Sequence, residues 1–471
     1  MALTKSVSLL LSIIIISALL QNTIIPTYEN NNCGCYQEDE KPIATWKWNR
    51  YFNYTEIVDF LRTLKENYSD LVELFSIGKS YENRSIWALR LTNRDYDESV
   101  NKTTVILIGG HHGREYISIM VPLYVAYQLL ANYNVDENVT RLLDYMEIYI
   151  IPVLNPDGYM EALYHNPWHR KNTRPIDEDG DGLYDEDCPE DINGDGIIGL
   201  IYNNETGMWE VEGFDNDNDS KINEDWVGGV DLNRNYNFSW GYEWGASSNP
   251  SDPTYHGPYP FSEPETQAFR DFIIHEIIEK EKNVTFAISY HSGIEAILYP
   301  WGYTGQTPPD NDTFISLGKI IERYTGYPLI QANQLYPVSG EWGDWLYGLF
   351  GIISFTVEVF VNYTEKAKLY TEVEKYINGT PYIDINITAY FNPIGSLISK
   401  IGRKNYLAVK NLALLFVPKI EEILENKSVI VIFGYPIPIS VLVDFTLPFI
   451  SAILFATIVF IILKKRIERR Y

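Results

Sequence analysis

The sequence predicts an α/β fold, a mixed and mostly parallel twisted sheet flanked by helices. Three observations carry the prediction. Short apolar β-branched runs such as 105–108 and 148–154 recur along the 471 residues and read as buried strands. Stretches of helical period separate them, and strands alternating with helices indicate a layered α/β structure. Histidine or glutamate stands at the end of several runs, which gathers polar side chains at the C-terminal edge of one sheet, where open α/β sheets bind ligands.

The elements follow in order. Lys5 precedes the apolar run 7–20, short and flanked like a secretory signal, so 1–22 are expected to be a signal peptide and 23–45 a polar, Asn-rich flexible leader. Ile57, Phe60, Leu61 and Leu64 share one face of a predicted helix over 54–67. Residues 71–77 and 85–91 alternate like strands. The strand 105–108 stops at Gly109-Gly110, and a helix is expected over 118–132. The strand 148–154 runs into Asn155-Pro-Asp-Gly158, a turn signal. Further strands are expected at 286–290 and 352–359.

After a linker over 426–444, the uncharged stretch 445–463 is long enough to span a bilayer as a single helix. Lys464, Lys465, Arg466, Arg469 and Arg470 then favour a cytoplasmic tail, 464–471. A domain over 46–425 is therefore expected outside the cell, on a single-pass membrane protein of the cell surface. The 14 Asn-x-Ser/Thr sequons suit a glycoprotein there. A net charge of −26 argues against a nucleic-acid partner, which would need clustered Lys and Arg. Three cysteines cannot build a disulfide framework.

Beyond Gly109-Gly110 come His112 and Glu115, three apart, where the chain is expected to turn into a helix. Residues i and i+3 share one face of a helical turn, so an imidazole and a carboxylate can converge on one ion. His291 follows the strand at 286–290, and Glu358 follows 353–357. Two histidines and one glutamate, with a fourth position left for water, make a catalytic zinc set. Alone, a His-x-x-Glu also fits a polar loop. Glu358 fits the bland reading badly, because a carboxylate in an apolar strand is costly without a cation nearby.

The acid is concentrated in an insertion over 177–225. Its segments are Asp177-Glu-Asp-Gly-Asp-Gly-Leu-Tyr-Asp-Glu-Asp187, Asp191-Ile-Asn-Gly-Asp195 and Asp215-Asn-Asp-Asn-Asp-Ser-Lys-Ile-Asn-Glu-Asp225. Oxygen ligands at alternate positions, a turn residue sixth and a later carboxylate are calcium-loop chemistry. Structural Ca2+ is expected on Asp177, Asp179, Asp181 and Asp187, on Asp191, Asn193 and Asp195, and on Asp215, Asp217, Asp219 and Asp225. The competing reading is a solvated acidic loop.

From about 46 to 420 the chain resembles the zinc carboxypeptidases with carboxypeptidase A-like catalytic domains. The motifs are His112-Gly-Arg-Glu115, Pro152-Val-Leu-Asn-Pro-Asp-Gly-Tyr159, Gly229-Val-Asp-Leu-Asn-Arg-Asn-Tyr236, Tyr255-His-Gly-Pro-Tyr259, Ser289-Tyr-His-Ser292, Tyr336-Pro-Val-Ser-Gly340 and Phe355-Thr-Val-Glu358, in family order. The resemblance implies that His112, Glu115 and His291 bind one Zn2+ and that Asp231 orients a ligand histidine. It implies that Glu358 is the general base acting on a zinc-activated water. Asn233 and Arg234 would hold the C-terminal carboxylate of a peptide or protein, Tyr336 would close over it, and Arg114 would touch substrate further in.

The family also has an arginine that polarises the scissile carbonyl. In Arg170-Lys-Asn-Thr-Arg174 a gapless match puts Thr173 there; a one-residue bulge would let Arg174 serve, with Arg170 as fallback. Gly343, at a position that helps choose the side chain removed, argues for a large apolar residue, and Glu341 would reverse this by attracting basic ones. Two other readings stand beside the metallocarboxypeptidase. An amidase-type relative acting on cell-wall peptides is opposed by Asn233, Arg234 and Tyr336. A non-enzymatic calcium-dependent surface protein would have no use for Glu358.

Overall fold

The computed structural model describes residues 46–419, apart from 97–100, 179–181, 186, 205–206, 217–221, 224–225, 243, 371–374 and 378, together with 429–432 and 435–438. The expected signal peptide, leader, membrane span and basic tail lie outside the described residues. Among the described residues no helix is long and apolar enough to cross a membrane.

Strands β1 (Val72–Lys79), β2 (Ser85–Leu91), β3 (Thr103–Ile108) and β4 (Met146–Ile151) come first. Two short strands, β5 (Leu200–Asn203) and β6 (Met208–Val211), interrupt the main series before β7 (Asn283–His291), β8 (Glu295–Tyr299), β9 (Leu329–Gln331) and β10 (Ser354–Val359). The eight-stranded sheet runs β1-β2-β4-β3-β7-β10-β8-β9. Four of its seven pairings are parallel (β3 with β4 and β7, β7 with β10, β8 with β9), and three are antiparallel. This is the mixed, mostly parallel sheet that the alternation of elements predicts.

The central strands carry the most apolar sequences because both of their faces are covered. Val105, Ile106, Leu107 and Ile108 are fully buried. Ile106 and Ile108 join a core cluster with Tyr149, Ile151, Phe269, Phe272, Trp342 and Trp345. Val105 and Leu107 point the other way, since side chains alternate along a strand. Helix Ile398–Ala413 packs against helices Tyr116–Ala131 and Asn311–Thr325, while helix Pro264–Phe272 packs on β1. Truncating such a residue, Ile108→Ala for example, should cost about 2–5 kcal/mol. The helix Tyr54–Asn67 is the one expected: Asn53 caps it, Glu56 completes a capping box, and Ile57, Phe60, Leu61 and Leu64 are buried.

Four local expectations differ from the structure. Helix Tyr116–Ala131 starts one residue after Glu115, so His112 and Glu115 sit in the turn before it and not on a helical face. Asn155-Pro-Asp-Gly158 opens helix Pro156–Tyr164: the Asn155 side chain accepts from the Gly158 amide, and proline takes the first helical position. The acidic insertion contributes β5 and β6 to a second sheet, completed by β11 (Lys375–Ile377) and β12 (Thr380–Ile383) in the order β11-β12-β5-β6. The segment expected to be a linker carries a hairpin, β13 (Val429–Ile432) and β14 (Tyr435–Pro438).

Candidate active site

The chain leaves β3 through two glycines that no other residue could replace. A Cβ on Gly109 would stand 2.3 Å from the Ser118 carbonyl oxygen, and Gly110 has φ +65°. Gly113 approaches helix Pro156–Tyr164 so closely that a Cβ there would be 2.1 Å from the Gly158 oxygen. This compact turn holds His112 and Glu115 at the end of β3, beside the ends of β7 and β10. Parallel pairing sets Glu358 opposite His291 and Val357 opposite Tyr290.

His112, Glu115 and His291 are buried, and one ligand atom from each lies within 4.8 Å of the others. His112 Nδ1 is 2.8 Å from Glu115 Oε1 and 3.1 Å from His291 Nδ1, which is 3.1 Å from Glu115 Oε2. His112 Nε2 lies 3.1 Å from Asp231 Oδ1. The Asp231 carboxylate accepts only, which assigns the proton of a neutral His112 ring to Nε2 and leaves a lone pair on Nδ1. That lone pair faces a carboxylate oxygen and a second ring nitrogen, an arrangement that repels itself unless a cation lies among the three. Burial alone would raise the Glu115 carboxyl, but His112 and His291 pull it well below the usual carboxylate range. The donor set, the burial and the assigned tautomer fit Zn2+.

Arg170 closes the cluster on one side. It donates to Asp231 Oδ2 through Nε (3.1 Å) and Nη2 (2.9 Å), and Nη1 is 3.5 Å from Glu115 Oε1. Burial works against its charge, yet Asp231 and Glu115 hold its pKa above the ordinary arginine value. Asp231 thus serves His112, Arg170 and the Asn233 amide, and its own carboxyl is held far down, against burial, by Arg170, His112 and Arg234. His111 is not a ligand: its ring lies between the Ser289 and Tyr236 hydroxyls, both at 3.0 Å, and stacks on His291.

A cleft of about 250 Å³ opens over these residues, lined also by Arg114, Asn233, Arg234, Tyr336 and Glu358. Burial and then Glu115 raise the Glu358 carboxyl well above its ordinary value, Arg170 opposing them. Its Oε2 is buried without a hydrogen-bond partner. Arg234 is 3% exposed, and its Nε has no partner either, while Nη1 donates to the Asn233 carbonyl. An unpaired buried guanidinium edge marks a place for an anion. Tyr336 stands on the rim, 51% exposed. Arg114 lies over the Phe391 ring at 4.5 Å, and burial and Arg170 lower its pKa to about 10.

Arg174 does not line this cleft. Its Nη1 bonds Glu263 Oε1 at 3.0 Å, and its side chain is one-third exposed. Along this irregular segment Arg170 is directed at the cluster, on Asp231 and Glu115, and Arg174 at Glu263, so the fallback Arg170, and not Arg174, stands beside the candidate metal site. The described calcium candidates are not brought together. Among the described residues the one group of three or more His, Cys, Asp or Glu side chains able to share an ion is His112–Glu115–His291. Both oxygens of Asp187 accept backbone amides, from Asn216 and Asn223, and those of Asp191 accept from Gly194, Asp195 and Gly196. Asn193 and Asp195 accept from amides of the same loop. Asp177 Oδ2 accepts from Gly182, and Asp215 joins no such group. Asp179, Asp181, Asp217, Asp219 and Asp225 lie outside the described residues.

Ser292, the last residue of the Ser289-Tyr-His-Ser292 motif, lines the cleft as well, as do Tyr390 and Phe391, which belong to no motif. Tyr390 and Phe391 end the short helix Ile387–Phe391, and their only local signal is the Asn386 cap before it.

The family model for zinc carboxypeptidases matches residues 57–380. Mast cell carboxypeptidase A of Homo sapiens is 27% identical over 312 residues, 64% of this chain and 60% of that one. A protein of Schizosaccharomyces pombe described as an inactive metallocarboxypeptidase is 30% identical over 272 residues, 57% of this chain and 45% of that one. The crystal structure of carboxypeptidase A from Helicoverpa armigera matches with a TM-score of 0.58 at 21% identity, covering 80% of this chain and 77% of that chain, a likeness of fold alone. The chain spans 60% and 61% of the length of the human and rat mast cell enzymes.

Proposed function

The chain belongs to the zinc carboxypeptidase family, and on that premise we propose that it is a metallocarboxypeptidase removing C-terminal amino acids from peptides or proteins. Membership alone does not carry activity, since one relative is described as inactive. The observation that supports catalysis is the convergence, in one cleft, of the buried His112–Glu115–His291 set, the unpartnered carboxylate oxygen of Glu358 and the unpartnered Nε of Arg234.

His112, Glu115 and His291 would hold the ion. A bound zinc supplies Lewis acidity, which polarises the scissile carbonyl and eases deprotonation of water. Asp231 fixes the His112 tautomer, and Arg170 places a permanent positive charge beside the cluster where oxyanion charge would develop. Glu358 takes the proton of the attacking water and delivers it to the departing amine, so that water is divided between a new carboxylate and a free amino acid. Asn233 and Arg234 bind the terminal carboxylate, Tyr336 covers that end from the rim, and Arg114 meets substrate further in. An internal peptide bond offers Arg234 no carboxylate, which makes the reaction an exopeptidase one.

We also place this domain outside the cell, tethered through 445–463, on the apolar length of that segment and its basic flank. Calcium in 177–225 rests on the Asp/Asn alternation of its sequence; a rise in unfolding temperature with added Ca2+ would support it, and no change would remove it. The deciding experiment is release of single C-terminal residues from a peptide panel by the full chain, with and without a zinc chelator. Release that requires the metal is expected; endopeptidase products, or no release from folded, zinc-loaded protein, would overturn the reading.

A further inference from the structure

We propose that the cleft selects substrates whose C-terminal residue carries a positively charged side chain, with Glu341 as the group that receives it. The inference rests on the carboxypeptidase reading above and names its substrate class.

Glu341 is the last residue before helix Trp342–Phe350 and lines the cleft together with Arg234, Gly343, Ser354 and Thr356. Its Oε1 accepts from the Asp344 amide at 2.8 Å, which fixes the carboxylate in place. Gly343 leaves that carboxylate uncovered: a Cβ there would stand 3.0 Å from Glu341 Oε1 and 3.3 Å from Ser354 Oγ. The carboxylate thus occupies the side of the cleft that any other residue at 343 would fill. Asp344, 1% exposed, lies directly behind and accepts from the amides of Gly302 and Tyr303.

The charge of this corner is unbalanced. Three arginines line the cleft. Arg170 is committed to Asp231 and Glu115, and Arg114 to the Trp168 carbonyl and the Phe391 ring. Arg234 is the cation that acts on Glu341. Once a substrate carboxylate neutralises Arg234, the hydrogen-bonded acids Glu341 and Asp344 have no other uncommitted cation among the residues lining the cleft. Burial raises both carboxyls, and Glu341 raises Asp344 further.

Reach follows from the backbone. The Trp342 amide donates to Asn233 Oδ1 at 3.1 Å, so the segment bearing Glu341 is bonded to the pair that takes the substrate carboxylate. A side chain leaving the same Cα as that carboxylate starts beside Glu341. An ammonium or guanidinium there gains a charge-assisted hydrogen bond in a dry site. An apolar side chain would bury the carboxylate with its amide hydrogen bond but no cation.

The test compares peptides identical except for a final Lys, Arg, Leu or Phe, with zinc-loaded full chain and kcat/KM as readout. Wild type is expected to favour Lys and Arg by about tenfold or more. E341Q should lower the Lys-to-Leu ratio by about tenfold, and E341D should restore most of it. A wild-type preference for Leu or Phe, or an equal loss on all four peptides in E341Q, as loss of a helix cap alone would give, overturns the proposal. Binding of the same peptides to E358Q separates this inference from the catalytic one. Tighter binding of Lys- and Arg-ended peptides supports it even if wild type cleaves nothing, and equal or reversed affinities overturn it.

Discussion

Glu358 stands opposite His291 in the register of two parallel strands, β10 and β7. Backbone pairing therefore sets the distance between the proposed base and the metal cluster, without help from a loop. Glu358→Gln keeps the shape and removes the base. Activity should fall by about 10²–10⁴-fold, while zinc content, read by metal analysis after dialysis, stays near one per chain. A fall of less than about threefold would remove Glu358 from the proton transfers.

Arg170 and Arg174 make opposite predictions. Arg170→Ala should lower kcat by about 10²–10³-fold, as loss of an oxyanion donor does. Arg174→Ala should leave kcat within a few-fold and act on stability, through the buried Glu263 carboxylate it leaves behind. Steady-state kinetics and thermal melts of both variants would show the reverse pattern if Arg174 were the reacting arginine.

Metal removal should destabilise the fold as well as stop turnover. Without a cation, the His112 lone pair faces Glu115 Oε1 at 2.8 Å. Binding to the native state alone adds about 4 kcal/mol at a free concentration 1,000 times Kd. The unfolding temperature should fall on chelation and recover with Zn2+; identical melts for both forms would contradict the cluster as an ion site.

Glu265 should make stability pH-dependent. It is fully buried, and burial raises its pKa from 4.5 to about 7. The native state then holds a proton that the unfolded chain releases at lower pH, so stability is complete below about 4.5 and is lost as pH rises through about 7. The loss is of order 3 kcal/mol. Glu265→Gln should flatten the denaturation midpoint between pH 5 and pH 8; an unchanged slope would assign that dependence elsewhere.

The strand ends were legible because they need only local signals: a β-branched run, a glycine pair, then a histidine or glutamate. Their places after apolar runs put His112, Glu115, His291 and Glu358 on one edge of the sheet. The arginine was not legible, because its place depends on how the chain crosses itself. The Gly113 amide bonds the Arg170 carbonyl at 3.0 Å where 113 passes Gly158, and that register has no signature along the sequence. The second sheet was invisible for a related reason: β5 and β12 are four residues each and pair across about 180 positions.

The central trio β3, β7 and β10 is drawn from positions 103–108, 283–291 and 354–359. During synthesis the chain must therefore extend past Glu358 before the last of these strands can dock. A nascent chain with β3 and β7 already emerged holds all three metal-binding side chains but neither Glu358 nor its strand. The proposed hydrolysis would therefore have to wait for the docking of β10, the strand that carries Glu358.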